Sequence, residues 1–313
     1  MRILVLGAAG FIGSRLVQAL SGFMPDASIV ASDLRMPIAP DGVRGMPNVE
    51  FIGGDMLAPG LIPSLFKQPF DAVFHLAAAL TIDAETAFER GMDINVHAFI
   101  RLLEACRLQN GTARFIFASS VSTFGGDLPA IVDDHVHQNP QTSYGTHKLI
   151  GEQLINDYSR RGFLDGRSLR LPIVLTHPGP PSASVSDRIA SLIRDPFDGK
   201  RVCCPICPDT PLAVISVDKV IAAMLRLLDV EAHALQHTRA MNMPALTVTP
   251  RQIADAVARR LPPHSPDWVE WKEDAAIQRV VESWPSRFTS GRAIALGLES
   301  DASIDDIISA YLA

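Results

Sequence analysis

The sequence predicts an α/β fold: a doubly wound parallel sheet followed by a smaller C-terminal α+β lobe. Three observations carry the prediction. Apolar runs of four to six residues alternate with helix-period segments through the first 175 residues. Runs of that length and composition suit strands buried on both faces. The first run enters a glycine-rich turn, and beyond Pro172 the regular alternation stops.

Strands are read at residues 2–6, 28–32, 49–52, 71–76, 113–118 and 168–173. Between them lie helices with one apolar face. Ile12, Leu16, Val17 and Leu20 mark the first of these, and Ile94, Ala98, Leu102 and Ala105 mark one over 93–107. Another spans 144–158. Repeated strand–helix alternation requires crossovers, and crossovers give a parallel sheet covered on both sides. Residues 1–175 form the nucleotide-binding domain in this reading, and 176–313 the substrate lobe, from which segments can return to the first domain. Residues 176–187, rich in Pro and Ser, read as a loop. Helices follow at 186–195, 218–229, 250–260, 273–283 and 303–312, with short strands around 200–216.

The chain has 313 residues, 47% hydrophobic and 20% charged, with a formal net charge of −6. That balance argues against a nucleic-acid binder, which needs a basic face. No apolar run reaches the roughly 18 residues of a membrane span. The apolar opening is broken by Gly7, Gly10 and Gly13, so it reads as a buried strand rather than a leader. Cys203, Cys204 and Cys207 lack the second ligand pair of a structural zinc site, and no metal is expected. Reduced thiols suit a cytoplasmic protein.

Gly7-Ala8-Ala9-Gly10-Phe11-Ile12-Gly13 lies between strand and helix. Glycines let the backbone approach a pyrophosphate, and the helix N-terminus offers N–H groups and a positive dipole end. Asp33, 20 residues beyond Gly13, ends the second strand. Its carboxylate suits the adenosine ribose hydroxyls and repels a 2′-phosphate, favouring NAD over NADP; Arg35 is the counter-signal. Asp55 and Met56, after the third strand, are placed against the adenine. His75 reads as a structural histidine, and Ala77 leaves room for the cofactor. Asn95, an amide in a helix interior, either caps a distorted turn or supports the active site.

Tyr144-Gly145-Thr146-His147-Lys148 puts a phenol and an ammonium on one helix face. A nearby ammonium stabilises a phenolate, so Lys148 is expected to lower the Tyr144 pKa and to hold the nicotinamide ribose. Ser119, Ser120 and Ser122 end the fifth strand. Ser120 is chosen to orient the substrate hydroxyl, Ser119 to sit by the cofactor and Ser122 by the substrate. Pro172 and Ile173 close the sixth strand beside the nicotinamide.

In this order, Gly7-x-x-Gly10-x-x-Gly13, Asp33, Asp55, His75-Leu76-Ala77-Ala78, Asn95, Ser119-Ser120 and Tyr144-x-x-x-Lys148 resemble the extended short-chain dehydrogenases, which include NAD-dependent epimerases and dehydratases. The resemblance implies a Rossmann domain, bound NAD, a Ser120/Tyr144/Lys148 triad and a homodimer built on the helices near 93–107 and 144–160. Leu212 stands where nucleotide-sugar enzymes of the family carry a phosphate-binding arginine. Leu171-Pro172-Ile173, residues 193–199, Ser283-Trp284-Pro285 and residues 292–298 resemble instead the branch that oxidises D-erythronate, a four-carbon sugar acid, at C2. The expected activity is therefore NAD-dependent oxidation of a small sugar acid to its 2-oxo acid. Arg188, Ser182, Ser184 and Ser186 are candidates for the substrate carboxylate; for Arg188 a solvated helix charge is the equal alternative. The other expectations are an epimerase or dehydratase with tightly held NAD, and a non-catalytic NAD sensor.

Overall fold

A computed structural model describes residues 1–39, 45–109, 113–175, 184–235, 237–262 and 268–312. Its main sheet has seven strands, all parallel. They are β1 (Arg2–Leu6), β2 (Ser28–Asp33), β3 (Val49–Gly53), β4 (Ala72–His75), β5 (Arg114–Ser120), β6 (Asp165–Leu171) and, from the C-terminal half, a strand at Ala240–Asn242. The last of these lies outside β6, and the order inward from β3 is β3-β2-β1-β4-β5-β6. The order therefore reverses between β1 and β4, where doubly wound sheets open a crevice at the strand C-termini.

Alternation along β1 shows how the sequence fixes both faces. Ile3 and Val5 join a core with Leu16, Val17 and Leu20 of α1 (Phe11–Phe23). Leu4 and Leu6 face the opposite layer. All four are at most 1% exposed, and each buried aliphatic side chain contributes about 1.5–3 kcal/mol. On that second face lie α2 (Leu61–Leu65), α5 (Ala98–Leu108) and α6 (Ser143–Arg160), while α3 (Thr81–Thr86) and α4 (Phe88–Met92) pack against α6. The core there joins Phe99, Leu102 and Leu103 of α5 to Ile155 of α6.

The sixth strand departs from expectation. Pro172 has no N–H for the ladder, and the chain leaves the main sheet there. β7 (Ile173–Leu175) pairs instead with β9 (Leu212–Ser216) in a small three-stranded sheet. β8 (Val202–Cys204) precedes β9. The remaining strands are β10, the Ala240–Asn242 strand already placed, β11 (Leu246–Val248) and β12 (Val269–Trp271). Here α7 (Val185–Phe197), α9 (Pro250–Ala258), α10 (Ala275–Glu282) and α12 (Ile304–Leu312) build a second core around Ile189, Ile193, Val214 and Ile253. α8 (Val217–Asp229) returns to the first core through Val220, Met224 and Leu227, and α11 (Gly291–Ala295) adds Ala293.

The helix expected at 93–107 starts earlier and is irregular. Asp93–His97 form a single π-type turn between α4 and α5, and Asn95 lies within it. Among the described residues no helix is long and apolar enough to cross a membrane.

Candidate active site

The strand C-termini and the helices beyond them form two joined cavities, of about 400 and 530 Å³, that share Gly7, Gly10, Leu76, Ala78 and Leu80. The floor of the junction is the glycine turn. Gly7 has φ +87°, and a Cβ on Gly13 would stand 2.0 Å from the Gly7 carbonyl oxygen. The turn therefore closes only with a bare backbone. Gly10 provides no side-chain cap for α1, so the helix begins without one. Gly10, Phe11, Ile12 and Gly13 line the smaller cavity. Backbone of this kind fits a diphosphate at a helix N-terminus.

The larger cavity is lined by Asp33, Asp55, Met56 and Ala77. Asp33 Oδ2 accepts the Ala9 amide at 2.9 Å and Oδ1 the Leu34 amide at 2.7 Å. Its carboxylate is thus locked at the rim while lone pairs remain for hydroxyl donors. Asp55 Oδ1 accepts the Leu57 amide at 2.8 Å, an Asx turn that orients it as well.

At the other end, Ser120, Tyr144, Lys148, Pro172 and Ile173 meet in the smaller cavity. Gly145 permits this approach: a Cβ there would lie 2.0 Å from the Ser122 carbonyl oxygen. The start of α6 can therefore press against the 3-10 turn Val121–Thr123. Ser120 and Tyr144 line the same wall, and Ser120 acts to lower the phenol pKa. The Ser120 Oγ accepts from Ser122 Oγ at 2.9 Å, which orients it. Lys148 Nζ donates to the Ala118 carbonyl at 2.7 Å and lies 5.5 Å from the Tyr144 ring centroid.

The electrostatics correct one expectation. Burial pushes the Tyr144 phenol above its usual pKa, with Ser120 acting the other way. Burial also pulls Lys148 down to about 7, against the field of Glu152. Desolvation favours the neutral form of both groups, and the ammonium spends a hydrogen bond on a carbonyl rather than on the phenol. In the protein by itself the lysine does not make the phenol acidic.

Asn95 takes the supporting role, and for Ser119, Ser122 and Arg188 the expected contacts are replaced by others. Asn95 does not line either cavity; it clamps Ala79. Its Oδ1 accepts the Ala79 amide at 2.8 Å and its Nδ2 donates to the Ala79 carbonyl at 2.9 Å. The other Nδ2 proton points at His147 Nδ1, 3.2 Å away, which fixes His147 as the Nε2–H tautomer. Asn95 thus supports the wall of the site. Ser119 lines the smaller cavity, but its hydroxyl donates to Glu152. Ser122 supports Ser120 rather than lining the cavity. Arg188 is exposed on α7, whereas Ser184, Ser186 and Asp187 line the cavity. Ser182 lies outside the described residues.

Sequence reading also missed a buried polar network. Glu152 lies one turn beyond Lys148 on α6, so an i+4 spacing marks it. It receives Arg170 Nε at 3.0 Å and Nη2 at 2.9 Å. Arg170 Nη1 reaches Asn242 Oδ1 at 3.1 Å, which ties β10 to β6. His75, the structural histidine of the sequence reading, stacks near Phe99 and Phe117. Burial, and then Lys148, pull its pKa down to about 3.

The profile of the NAD dependent epimerase/dehydratase family matches residues 3–242. The chain belongs to that family. Two D-erythronate dehydrogenases are similar over its whole length. The one from Cupriavidus necator is 38% identical, with 100% of this chain and 98% of the relative covered. The one from Haemophilus influenzae is 32% identical, with 100% and 99% covered. A nucleoside-diphosphate-sugar epimerase from Agrobacterium tumefaciens superposes with a TM-score of 0.91 at 31% identity, covering 100% of this chain and 93% of that one. A GalE-like L-threonine dehydrogenase from Cupriavidus necator, in holo form, gives 0.89 at 25% identity, covering 100% and 99%. The family member described here has a Rossmann-like sheet, takes NAD as cofactor and is an NAD-dependent dehydrogenase.

Proposed function

We propose that this dehydrogenase oxidises a small sugar acid, a D-erythronate-like 2-hydroxy acid, to the 2-oxo acid. The observation that carries the reading is the convergence of Ser120, Tyr144 and Lys148 on one cavity continuous with the glycine turn. Two full-length relatives are dehydrogenases of such an acid. A volume of about 400 Å³ shared with the nicotinamide end suits a small substrate. Leu212, buried at 2% exposure, offers no charge for a nucleotide diphosphate.

NAD, when bound, supplies the hydride acceptor. Gly7, Gly10 and Gly13 would hold its diphosphate, Asp33 its adenosine ribose and Lys148 the ribose at the other end. The chain's own residues do the proton chemistry. Ser120 holds the C2 hydroxyl of the substrate. Tyr144 oxygen receives the hydroxyl proton as general base. Lys148, anchored on Ala118, exchanges a proton with the phenol. One hydride leaves C2 for NAD and one proton leaves the hydroxyl, so the products are the 2-oxo acid, NADH and a proton.

The active unit in this reading is a homodimer through α5 and α6, where Ile100 is an exposed apolar residue; light scattering tests it. Four free cysteines fit a reducing cytoplasm. The deciding experiment incubates the enzyme with NAD and four- to six-carbon aldonic acids and follows NADH absorbance. Net NADH from a four-carbon acid is expected. Turnover of a nucleotide sugar without net NADH would establish an epimerase or dehydratase instead.

A further inference from the structure

Residues 76–80, which follow β4, belong to no strand or helix, yet all five line the larger cavity. Their place depends on what ties them down. At the start of the span the Leu76 and Ala77 amides donate to the Leu6 carbonyl at 2.9 and 3.1 Å. At Ala79 the partner is a side chain. Asn95 accepts the Ala79 amide and donates to its carbonyl. An amide carries two protons, and the second points at His147 Nδ1, 3.2 Å away. His147 lies between Tyr144 and Lys148 on α6 and is 1% exposed. Its ring is set against α4: a Cβ on Gly91 would lie 3.5 Å from its Cε1, and the Phe88 ring is 6.4 Å away by centroid. The helix that carries Tyr144 and Lys148 thus reaches the wall of the larger cavity through two hydrogen-bonded steps. A buried N–H without an acceptor is costly. Without the Nδ1 lone pair the Asn95 amide gains by turning toward another partner, and turning surrenders both Ala79 contacts.

We propose that His147 is a positioning residue for the cofactor: through Asn95 it fixes Ala79, and with it the wall against which NAD lies. This rests on the reading that the larger cavity receives NAD, and it holds whichever acid is oxidised. Asparagine and leucine at this position separate the acceptor from the packing. Asn places its Oδ1 where Nδ1 stands, whereas Leu has a similar size and no acceptor.

The test measures NADH affinity by equilibrium titration, with kcat at saturating NAD and Tm on the same samples. His147→Leu is expected to weaken NADH binding about 3- to 10-fold, as for one neutral hydrogen bond lost, with kcat within about threefold. His147→Asn should restore the affinity. Should the Leu variant not fold, His147→Gln replaces it, since Gln is polar but carries its amide where Nε2 stands. In an Asn95→Ala background the change at His147 should have no further effect on affinity, because the path runs through Asn95. Unaltered affinity in His147→Leu, or in His147→Gln where that stands in, would overturn the assignment. An equal loss in His147→Asn, or losses that add in the double variant, would overturn it too, as a packing defect. Gly13→Ala, measured alongside, keeps the two readings apart: if it leaves NADH affinity intact, the cofactor placement fails and the role of His147 with it.

Discussion

Lys148 donates to the Ala118 carbonyl, 2.7 Å away, so the amine is tied to the strand that carries Ser120 two residues later. That anchor, and not an ion pair with the phenol, sets its place. Burial brings Lys148 to about 7 and keeps the phenol protonated. One proton must leave the Tyr144/Lys148 pair before the phenol can act as base. Oxidation is therefore expected to rise with pH through about 7 and then level off. The apparent value belongs to the pair, because the two groups titrate together. In Lys148→Met the limb near 7 should vanish and kcat fall at least about 100-fold. A pH–rate profile unchanged in shape would contradict the coupling.

Tyr144→Phe removes the proton acceptor and leaves the ring. Turnover is expected to fall about 10²–10⁴-fold, with NAD affinity within about twofold. Ser120→Ala should cost less, since Ser120 only orients the hydroxyl. Stopped-flow rates with equilibrium NAD titrations separate chemistry from binding. Equal loss of NAD binding in both variants would mean that the pair holds the cofactor rather than the substrate.

Gly13→Ala tests the cradle. The added methyl would stand 2.0 Å from the Gly7 carbonyl oxygen, so the turn must open. NAD affinity should drop at least about tenfold, while circular dichroism stays close to wild type because the clash is confined to the turn. Gly22→Ala, with nothing within 4 Å, is the control in the same helix and should leave NAD affinity alone.

What the sequence encodes locally could be read from it. The glycine turn, Asp33 and the Tyr144/Lys148 spacing each lie within one strand–turn–helix step, so spacing alone placed them in the site. The rest is long-range. β10 is three residues, Ala-Met-Asn, too short to show a period, and it becomes a strand only because β6 offers an edge. The helical pattern over 93–107 gave no sign that Asn95 would lie in a π-type turn. Arg188 shows the limit for side chains on a helix. One residue is about 100° of rotation, and a Pro/Ser-rich stretch of sequence fixes no phase, so Asp187 faces the cavity and Arg188 the solvent. The Glu152–Arg170 pair joins two elements, so the spacing from Lys148 marks Glu152 on its helix but no local pattern announced its partner.

That pair is the next test. Both side chains are at most 7% exposed. Removing one partner of a buried pair leaves an uncompensated charge, which costs about 3–5 kcal/mol. Glu152→Ala is expected to lose that much stability in urea unfolding. Replacing Arg170 as well, with Met, should recover part of it, since the remaining charge is gone. A single variant as stable as wild type would show that water already reaches the pair.

His75 sets the acid limit of the fold. It is 2% exposed between aromatic rings, and its pKa falls from 6.5 to about 3. The unfolded chain therefore binds a proton that the folded one refuses. Its contribution is fully present above about pH 6.5 and is lost as pH falls toward 3. His75→Phe keeps a ring 5.1 Å from Phe99 and 5.9 Å from Phe117 by centroid and cannot be protonated. Nδ1 has no hydrogen-bond partner, so none is forfeited there. The variant should match wild-type Tm at neutral pH within a few degrees and unfold at a distinctly lower pH on acid titration followed by circular dichroism. An acid midpoint identical to wild type would assign acid unfolding to the carboxylates instead.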